Sequence, residues 1–272
     1  FRQDLCSHLS SASLIQRRMR TPFFKMHGLG NDFVVLDERP GDLSLTRSRI
    51  SALADRKRGI GCDQLVSLRK PEAGDPASVI VRFFNPDGSE AGACGNASRC
   101  VAWMVAGEEG KSEVSLRTSA GLLPSIVQDE HHVTVDMGEP RLSWRDVPLV
   151  REMDTLRLPM PGEPAALSMG NPHVTFFSDD DASAERGALL ECDALFPERA
   201  NIGFASIKTP DVMRLRVWER GAGFTLACGS GACAAVVNAA RRGLGERKMR
   251  VLVDGGELTI DWGHDNHVRM TG

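Results

Sequence analysis

The stretch Glu90-Ala-Gly-Ala-Cys94-Gly95-Asn96-Ala-Ser-Arg-Cys100 decides the organisation of the chain, because a similar stretch follows later as Phe224-Thr-Leu-Ala-Cys228-Gly229-Ser230-Gly-Ala. In each copy a cysteine precedes a glycine, a small polar residue and a run of helix-forming residues. The residues upstream repeat too, since Val81-Arg-Phe-Phe-Asn85 and Leu215-Arg-Val-Trp-Glu219 precede the cysteines at the same offset. Two thiols in duplicated settings predict one site at a pseudo-twofold axis.

The remaining sequence repeats in the same way. Short apolar runs separated by glycine-rich turns predict strands, and four runs predict helices: 47–58, 97–106, 181–191 and 229–242, of which the first, second and fourth end at Gly59, Gly107 and Gly243. A segment with five prolines, 139–164, divides the two halves. The same order of elements on both sides predicts an internally duplicated α/β protein. We expect domains at 19–138 and 139–263, with a proline-rich linker at the start of the second.

Composition excludes several classes of function. A hydrophobic fraction of 42%, a charged fraction of 25% and a net charge of −3 are typical of a globular protein and lack the basic excess of a nucleic-acid binder. No apolar run approaches the ~20 residues that span a bilayer. Seven cysteines without close CxxC pairing indicate free thiols in a reducing compartment rather than a zinc site, so we expect a cytoplasmic protein without a metal ion.

Residues 1–18 differ from the rest of the chain. They are rich in arginine and serine but lack the apolar core of a secretory signal. Met19, followed by Arg-Thr-Pro-Phe-Phe, has the character of a natural start. We therefore expect residues 1–18 to be an extension outside the fold.

The duplicated cysteines suggest a particular chemistry. A cysteine at the start of a helix lies where unpaired backbone N–H groups and the helix dipole favour its thiolate. The following glycine lets backbone amides approach a bound anion closely. A carboxylate held between two such helix ends would present its α-carbon to a thiolate on one face and a thiol on the other. This arrangement predicts stereoinversion by two bases, with no cofactor.

A structural explanation competes with this one. Free cysteine usually packs as a small hydrophobic residue, and that is our interpretation of the other five cysteines: 6, 62, 100, 192 and 233. For Cys94 and Cys228 the matched motifs favour catalysis. Glu219-Arg220 precedes the second motif and could pair with the charged ends of an amino acid. His173 is either a turn residue or a base near a thiol. The asparagines at 31, 85 and 171 lie beside Gly or Pro, and Asn201 lies two residues before Gly203; turn geometry explains each of them alone.

These motifs resemble diaminopimelate epimerase, a family of amino-acid epimerases that work without pyridoxal phosphate. The resemblance runs from Phe23 to Gly272 and includes these segments: Gly28-Leu-Gly-Asn31-Asp-Phe, Gly59-Ile-Gly-Cys-Asp-Gln64, Phe84-Asn-Pro-Asp-Gly-Ser-Glu90, Gly170-Asn-Pro-His173, Asn201-Ile, Trp218-Glu-Arg-Gly-Ala-Gly223 and both cysteine motifs. It implies two pseudo-symmetric α/β (α+β) domains, each a curved, mostly antiparallel sheet wrapped around a central helix, with the site between them. It also implies that the last strand, 264–272, returns to the first domain.

The resemblance further implies interconversion of LL- and meso-diaminopimelate, in lysine and peptidoglycan precursor biosynthesis, by a homodimer that uses no cofactor. Cys94 and Cys228 would be the two bases. Glu219 and His173 would tune their protonation. The backbone amides of the residues that follow the two cysteines would hold the carboxylate at the reacting centre; these residues are Gly95, Asn96, Gly229 and Ser230. A second, polar set would line the site or bind the distal end: Asn31, Gln64, Asn85, Asn171, Asn201, Glu219 and Arg220.

One position departs from the family pattern, and two other functions stay open. Phe224 stands where the family usually carries a polar or acidic residue, so the loop before Cys228 could pack differently. A proline-racemase-like enzyme would act on a one-ended amino acid with the same chemistry, although Glu219-Arg220 and the asparagines argue against it. Paired thiols could also form a redox-active disulfide or a metal site, although neither cysteine has a close CxxC partner.

Overall fold

The computed structural model describes residues 21–92, 94–129, 131–178 and 183–272. The prediction for residues 1–18 lies outside these ranges. Within them the chain forms sixteen strands and four helices. The first half contains β1 Phe23–Gly28, β2 Asn31–Asp37, α1 Arg47–Ala54, β3 Gln64–Arg69, β4 Val79–Phe84, β5 Glu90–Ala91, α2 Gly95–Glu109, β6 Glu113–Thr118, β7 Gly121–Val127 and β8 Val133–Asp136. The second half contains β9 Ala165–Ser168, β10 Pro172–Phe177, α3 Ala184–Glu191, β11 Asn201–Thr209, β12 Val212–Glu219, β13 Gly223–Phe224, α4 Gly229–Arg241, β14 Lys248–Val253, β15 Gly256–Trp262 and β16 Val268–Thr271.

The strands pair in two matching sets, which confirms the predicted duplication. The hydrogen-bonded order is β1-β2-β3-β4-β6-β7-β8-β16-β15-β14-β12-β11-β10-β9, with β5 paired to β4 and β13 paired to β12. Each half has the same two parallel pairs, β2 with β3 and β4 with β6 in the first, β10 with β11 and β12 with β14 in the second. The two sets meet where β8 and β16 pair antiparallel. The domain boundaries themselves stay a prediction.

Two helices form the centres of the halves. Eleven residues of α2 and eleven of α4 are buried, far more than the one apolar stripe that a surface helix buries. In α4 the sequence Gly-Ser-Gly-Ala-Cys-Ala-Ala-Val-Val consists of small side chains, which lets a curved sheet close around it. Residues of both helices belong to one apolar core, for example Val101 and Val236. The observed α/β fold of two wrapped halves is the predicted class.

The C-terminal ends of two helices differ from prediction by three residues or more. Helix α1 ends at Ala54 and not near Gly59, because Asp55 has left the helical conformation with ψ 118°. Helix α2 continues through Gly107 and ends at Gly110, which adopts the left-handed conformation with φ 65°. A left-handed glycine is the usual way in which a helix ends, and two glycines three residues apart offered two candidates. No helix within the described ranges is long and apolar enough to cross a membrane.

The proline-rich segment 139–164 contains no named strand or helix. It is nevertheless packed, because Val147, Leu149 and Leu158 are buried in a second apolar cluster with Phe176 and Ile202. Arg141 forms an isolated bridge to Ser168 at the end of β9. The segment therefore covers one face of the second half.

Candidate active site

A cavity of about 920 Å³ lies between the two halves, and residues of both line it. Cys94 comes from the first half and Cys228 from the second. All but two of the predicted site residues line this cavity: Asn31, Gln64, Asn85, Cys94, Gly95, Asn96, Asn171, Glu219, Arg220, Cys228, Gly229 and Ser230. His173 and Asn201 do not. The fold thus brings residues that are up to 199 positions apart in sequence to one site.

Each cysteine is the N-terminal capping residue of a central helix. Cys94 precedes α2 in an extended conformation, and its sulfur accepts a hydrogen bond from the Ala97 amide at 3.4 Å. Cys228 precedes α4 in the same way, with its sulfur 3.7 Å from Ser230 Oγ. The first backbone N–H groups of both helices have no carbonyl of a preceding helical turn to donate to, as at every helix N-terminus. They can therefore bind an anion in the cavity.

The two helix N-termini touch through glycine backbones. A Cβ built on Gly229 would lie 3.4 Å from the Gly95 Cα and 2.8 Å from Met270 Sδ. A Cβ on Gly95 would lie 2.7 Å from Met270 Cε. Any other residue at these positions would have to displace a buried side chain. The glycine after each cysteine is therefore explained by the close contact of two helices around Met270 in β16.

Asn96 makes a direct link between the halves. Its side-chain amide donates to the Ala227 carbonyl at 3.0 Å, immediately before Cys228, and its carbonyl accepts from Arg99 at 3.0 Å. Asn96 is buried, with 2% of its surface exposed. Both ends of the side chain are thus engaged in structural contacts, and the backbone amide of Asn96 is the group expected to bind a ligand. The side chain fixes the second cysteine loop relative to the first helix.

Burial raises the pKa of the Cys94 thiol to about 12, and burial also raises the pKa of Cys228 well above its ordinary value. The nearby Glu219 carboxylate acts in the same direction on both thiols. The expectation that helix ends would stabilise a thiolate is wrong in its net direction. A helix dipole contributes about 0.3–2 kcal/mol, whereas burial can shift a pKa by 3–5 units at ~1.4 kcal/mol each. Both cysteines are therefore neutral thiols at pH 7.

Glu219 lies beside Cys228. Thr225 Oγ1 donates to its carboxylate, and the Cys228 thiol is hydrogen-bonded to it as well. Burial raises the pKa of Glu219. A carboxylate with raised proton affinity in contact with a thiol is a plausible acceptor for the thiol proton. The Cys94 sulfur instead lies 3.9 Å from a neutral group, Asn31 Oδ1.

Amide side chains form a polar wall on the first half. Asn31 donates to Asp63 at 3.1 Å, Gln64 donates to Asn85 at 3.3 Å, and Asn85 donates to Ser89 Oγ at 3.1 Å. Gln64 Oε1 is buried and has no hydrogen-bond partner among the described residues. A buried acceptor without a partner is costly unless a ligand supplies a donor. This oxygen is therefore available for an ammonium or hydroxyl group of a ligand.

His173 and Asn201 hold parts of the second half together. His173 Nε2 lies 2.9 Å from Asn171 Oδ1, and burial, with the charge of Arg220, lowers the pKa of His173 to about 3. The ring is therefore neutral, and it does not line the cavity. Asn201 donates to the Pro172 carbonyl at 2.9 Å and accepts from the Arg220 amide at 3.0 Å. Their predicted roles at the site stay predictions, and their visible contacts are with Asn171 and Arg220.

Sequence reasoning missed several residues of the cavity wall. Arg56 and Asp63 line it, with Arg56 Nη2 2.6 Å from both Asp63 and Asp32. Asp32 and Asp63 stand in two of the quoted family motifs, but Arg56 stands in none, and only long-range contacts bring the three together. Among the described residues no three His, Cys, Asp or Glu side chains are grouped so as to hold a metal ion.

Phe224 also lines the cavity. Its ring contacts the Trp218 ring edge to face, with centroids 5.3 Å apart, and the Arg216 guanidinium lies 4.2 Å from its centroid. In β13 it pairs with Trp218 of β12. The aromatic side chain is therefore packed onto the second half, and Cys228 keeps its place at the start of α4.

Solved structures with the same fold include amino-acid racemases and epimerases. A predicted epimerase from Pseudomonas aeruginosa superposes with a TM-score of 0.67 at 16% identity, covering 93% of this chain and 95% of that one. A hydroxyproline epimerase from Agrobacterium vitis, with bound trans-4-hydroxy-L-proline, superposes with a TM-score of 0.63 at 14% identity, covering 92% and 87%. At such identities the similarity concerns the fold alone.

Sequence comparisons are more specific. The family model for diaminopimelate epimerase matches residues 23–143 and 165–272. The diaminopimelate epimerase of Gluconobacter oxydans (strain 621H) is 62% identical over 254 residues, covering 93% of this chain and 96% of the relative. That of Acidiphilium cryptum (strain JF-5) is 55% identical over 258 residues, covering 92% of each. The chain therefore belongs to the diaminopimelate epimerase family.

Proposed function

We propose that this enzyme interconverts LL-2,6-diaminopimelate and meso-diaminopimelate by proton transfer at one α-carbon, with Cys94 and Cys228 as the two bases. One observation carries the proposal: in a chain of this family, two cysteines cap two helices whose first glycines touch at one cavity. A carboxylate bound by both helix ends would have its α-carbon between the two sulfurs. Stereochemical inversion needs this opposed placement of donor and acceptor.

The helix ends supply the stabilisation that the reaction needs. Removing an α-proton from an amino acid places negative charge on the carboxylate oxygens. The amides at Gly95-Asn96 and Gly229-Ser230 would donate to those oxygens from fixed positions. Preorganised donors of this kind contribute on the order of 3–4 kcal/mol each to a developing oxyanion. The geometry therefore supports proton abstraction without an electron-withdrawing cofactor.

The proton count is balanced within the site. One cysteine must be a thiolate to accept the α-proton, while the other, as a thiol, donates its proton to the opposite face. Both thiols have raised pKa values, so the first thiolate must form by transfer of a proton to a nearby group. Glu219 is hydrogen-bonded to Cys228 and has a raised pKa, which makes it the acceptor of that proton. After one turnover the two cysteines have exchanged protonation states.

The distal amino-acid end would be held away from the sulfurs. Arg220 lines the cavity and supplies a cation for the distal carboxylate, while Gln64 Oε1 and the neighbouring amides accept from the distal ammonium. Asn201 acts on this end through the Arg220 amide. A one-ended amino acid such as proline would leave these polar groups unpaired. Sites of this type discriminate strongly against analogues that lack the polar group.

The wider setting follows from the same proposal. The reaction belongs to lysine and peptidoglycan precursor biosynthesis, with a small amino-acid substrate and no cofactor, nucleic acid or membrane partner. The six cysteines in the described ranges are all free thiols, which fits a reducing cytoplasm. We expect a homodimer, which light scattering of the purified protein would test.

The test is epimerisation of LL-diaminopimelate in deuterated water. We expect deuterium at one α-carbon of the product and loss of turnover in both Cys94→Ser and Cys228→Ser. The matched control is Cys192→Ser, an exposed thiol outside the cavity, which should keep wild-type activity. Full activity in either of the first two variants would refute two-base catalysis. Turnover of L-proline without turnover of LL-diaminopimelate would refute the proposed substrate.

A further inference from the structure

Glu191, the last residue of α3, has a buried carboxylate that the reaction does not use. It is 6% exposed and does not line the cavity. Its Oε2 accepts from Trp218 Nε1 at 2.7 Å, and its Oε1 accepts from the Gly221 amide at 2.9 Å. Gly221 directly follows Glu219-Arg220. One carboxylate therefore joins helix α3 to the loop that carries both of these residues.

The helix is packed closely enough to make this contact rigid. A Cβ on Gly187 would lie 2.6 Å from the Trp218 ring, so only glycine lets α3 approach β12 this closely. Gly187 and Glu191 are four residues apart and lie on the same face of the helix. The backbone approach at Gly187 thus brings the Glu191 carboxylate within reach of Trp218 and Gly221.

Glu191 also supports Arg220 from a second side. Its backbone carbonyl accepts from Ala200 at 3.4 Å, and its carboxylate lies 3.5 Å from Arg199 Nη1. Residues 198–200 are therefore anchored to Glu191. The Glu198 carbonyl of this segment accepts from Arg220 Nη1 at 2.9 Å. The Arg220 guanidinium and the amide that follows Arg220 are thus both fixed, in part, by the same carboxylate.

A buried carboxylate has a high cost in desolvation, which only good hydrogen bonds offset. Here each oxygen has a short hydrogen bond from a neutral donor, and Arg199, the cation 3.5 Å from the carboxylate, has 59% of its side chain exposed. An apolar side chain could fill the same volume but could not hold the Gly221 amide. The carboxylate therefore fixes the geometry of the loop more than it adds to stability.

We propose that Glu191 is a positioning residue that sets specificity for substrates with a second charged amino-acid end, by holding Arg220 in the orientation that binds the distal carboxylate. This inference rests on the proposed function, because it takes Arg220 as the distal-end ligand. It assigns Glu191 no contact with the substrate. The Glu219 carboxylate in the same loop has its own hydrogen bond from Thr225 Oγ1, so the effect is expected at Arg220 and the distal end.

The experiment compares Glu191→Gln with Glu185→Gln. Glu185 lies on the same helix, is exposed, and gives the same change in charge. Glutamine has one carbonyl oxygen, so Glu191→Gln keeps one of the two strong contacts and loses the other. Because one of the two hydrogen bonds to a charged group is lost, we expect KM for LL-diaminopimelate to rise roughly tenfold or more. We expect kcat to change less than twofold, and Glu185→Gln to match the wild type.

Trp218→Phe is the second variant. It removes one donor, leaves the Gly221 contact in place and keeps an aromatic ring against Phe224 and Gly187. We expect KM to rise less than in Glu191→Gln, again with little change in kcat. A fall in kcat with unchanged KM in either variant would overturn the inference. So would wild-type kinetics in both.

Arg220→Ala separates this inference from the function on which it rests. If Arg220→Ala raises KM and Glu191→Gln does not, the positioning role is wrong and the proposed function stands. If the wild-type protein does not turn over LL-diaminopimelate, the proposed function itself fails. If the role is correct, adding Glu191→Gln to Arg220→Ala raises KM no further, because both act on the same contact.

Discussion

The contact between the two helix N-termini can be tested by Gly229→Ala. The new Cβ would lie 2.8 Å from Met270 Sδ, 3.2 Å from Met270 Cε and 3.4 Å from Gly95 Cα. Met270 is fully buried, and its methyl group already fills the space beside Gly95. The side chain therefore cannot move away freely. Overpacking of this kind costs ~1–3 kcal/mol, and the preference of a helix for alanine returns ~0.5–1 kcal/mol. The expected net loss of unfolding free energy is ~1–2 kcal/mol.

The same substitution should lower activity more than stability. To relieve the contact, α4 must shift by a few tenths of an ångström relative to α2, which moves the Cys228 sulfur and the amides that follow it. A 1 Å displacement of a catalytic group can cost ~100-fold in rate, so we expect kcat to fall by about tenfold. Urea denaturation followed by tryptophan fluorescence gives the stability, and deuterium incorporation from solvent gives the rate.

Gly107→Ala is the matched control. A Cβ on Gly107 in α2 would have no atom within 4 Å, so the only effect is the higher preference of alanine for a helix. The unfolding free energy of this variant should rise by ~0.5–1 kcal/mol, and kcat should be unchanged. In the double variant Gly229→Ala with Met270→Ala, the loss of unfolding free energy should be smaller than the sum of the losses in the two single variants. The reason is that the new methyl group fills part of the space left by Met270. Stability and kcat equal to wild type in Gly229→Ala would refute the close contact of the helix ends.

Three further predictions concern the thiols and the seam of the sheet. Glu219 is the proposed acceptor of the Cys228 proton, so Glu219→Gln should slow the alkylation of Cys228 by iodoacetamide at pH 8, as followed by mass spectrometry; faster alkylation would show that the carboxylate only raises the pKa of Cys228 and would contradict its role as acceptor. Diamide should inactivate the enzyme by joining Cys94 to Cys228, dithiothreitol should restore activity, and Cys192→Ser should respond like the wild type; an oxidised protein with full activity would contradict the opposed placement. The hydrogen bond from His267 to Asp136 raises the pKa of His267 above that of the unfolded chain, so this pair stabilises the fold below about pH 6.5 and loses its effect as pH rises through the folded pKa. The difference in melting temperature between wild type and His267→Gln should therefore be present at pH 5.5 and absent at pH 9.

Much of the architecture could be predicted because the sequence repeats it. The paired motifs at Cys94 and Cys228 gave the duplication, and the glycine after each cysteine gave two helix N-termini at one site. What local sequence could not provide was burial. The dipole argument at Cys94 was sound for an exposed helix end, but burial acts more strongly and in the opposite direction. Arg56 was missed for a related reason, because its partners Asp32 and Asp63 approach it only in the folded chain.

The end of helix α2 is a second feature that the local sequence does not determine. Gly107 and Gly110 are both acceptable as the end of a helix, and the local sequence does not choose between them. The structure ends the helix at Gly110, where the backbone N–H of the cap donates to the Ala106 carbonyl. Asn201 is a similar case. Its place close to Gly203 suggested a turn, but it begins β11, and its side chain joins Pro172 to the Arg220 amide.

The differences between the two halves determine the chemistry more than their common fold does. In the parallel pair β2 with β3, Phe33 lies opposite Gln64; in the matching pair β10 with β11, His173 lies opposite Asn201. Asn85 at the end of the first repeat corresponds to Glu219 in the second. The first half thus presents neutral groups to Cys94, and the second half places a carboxylate on Cys228.

Equal helix ends allow either thiol to serve at either face, but an equal pair would have no group to form the first thiolate. The Glu219 carboxylate breaks this symmetry. Since Glu219 is bonded to Cys228, whereas the Cys94 sulfur lies 3.9 Å from the neutral Asn31 Oδ1, the thiolate should form first at Cys228. In the proposed mechanism the duplicated backbone would provide reversibility, and Glu219, which stands in the second half where the first has Asn85, would provide the base.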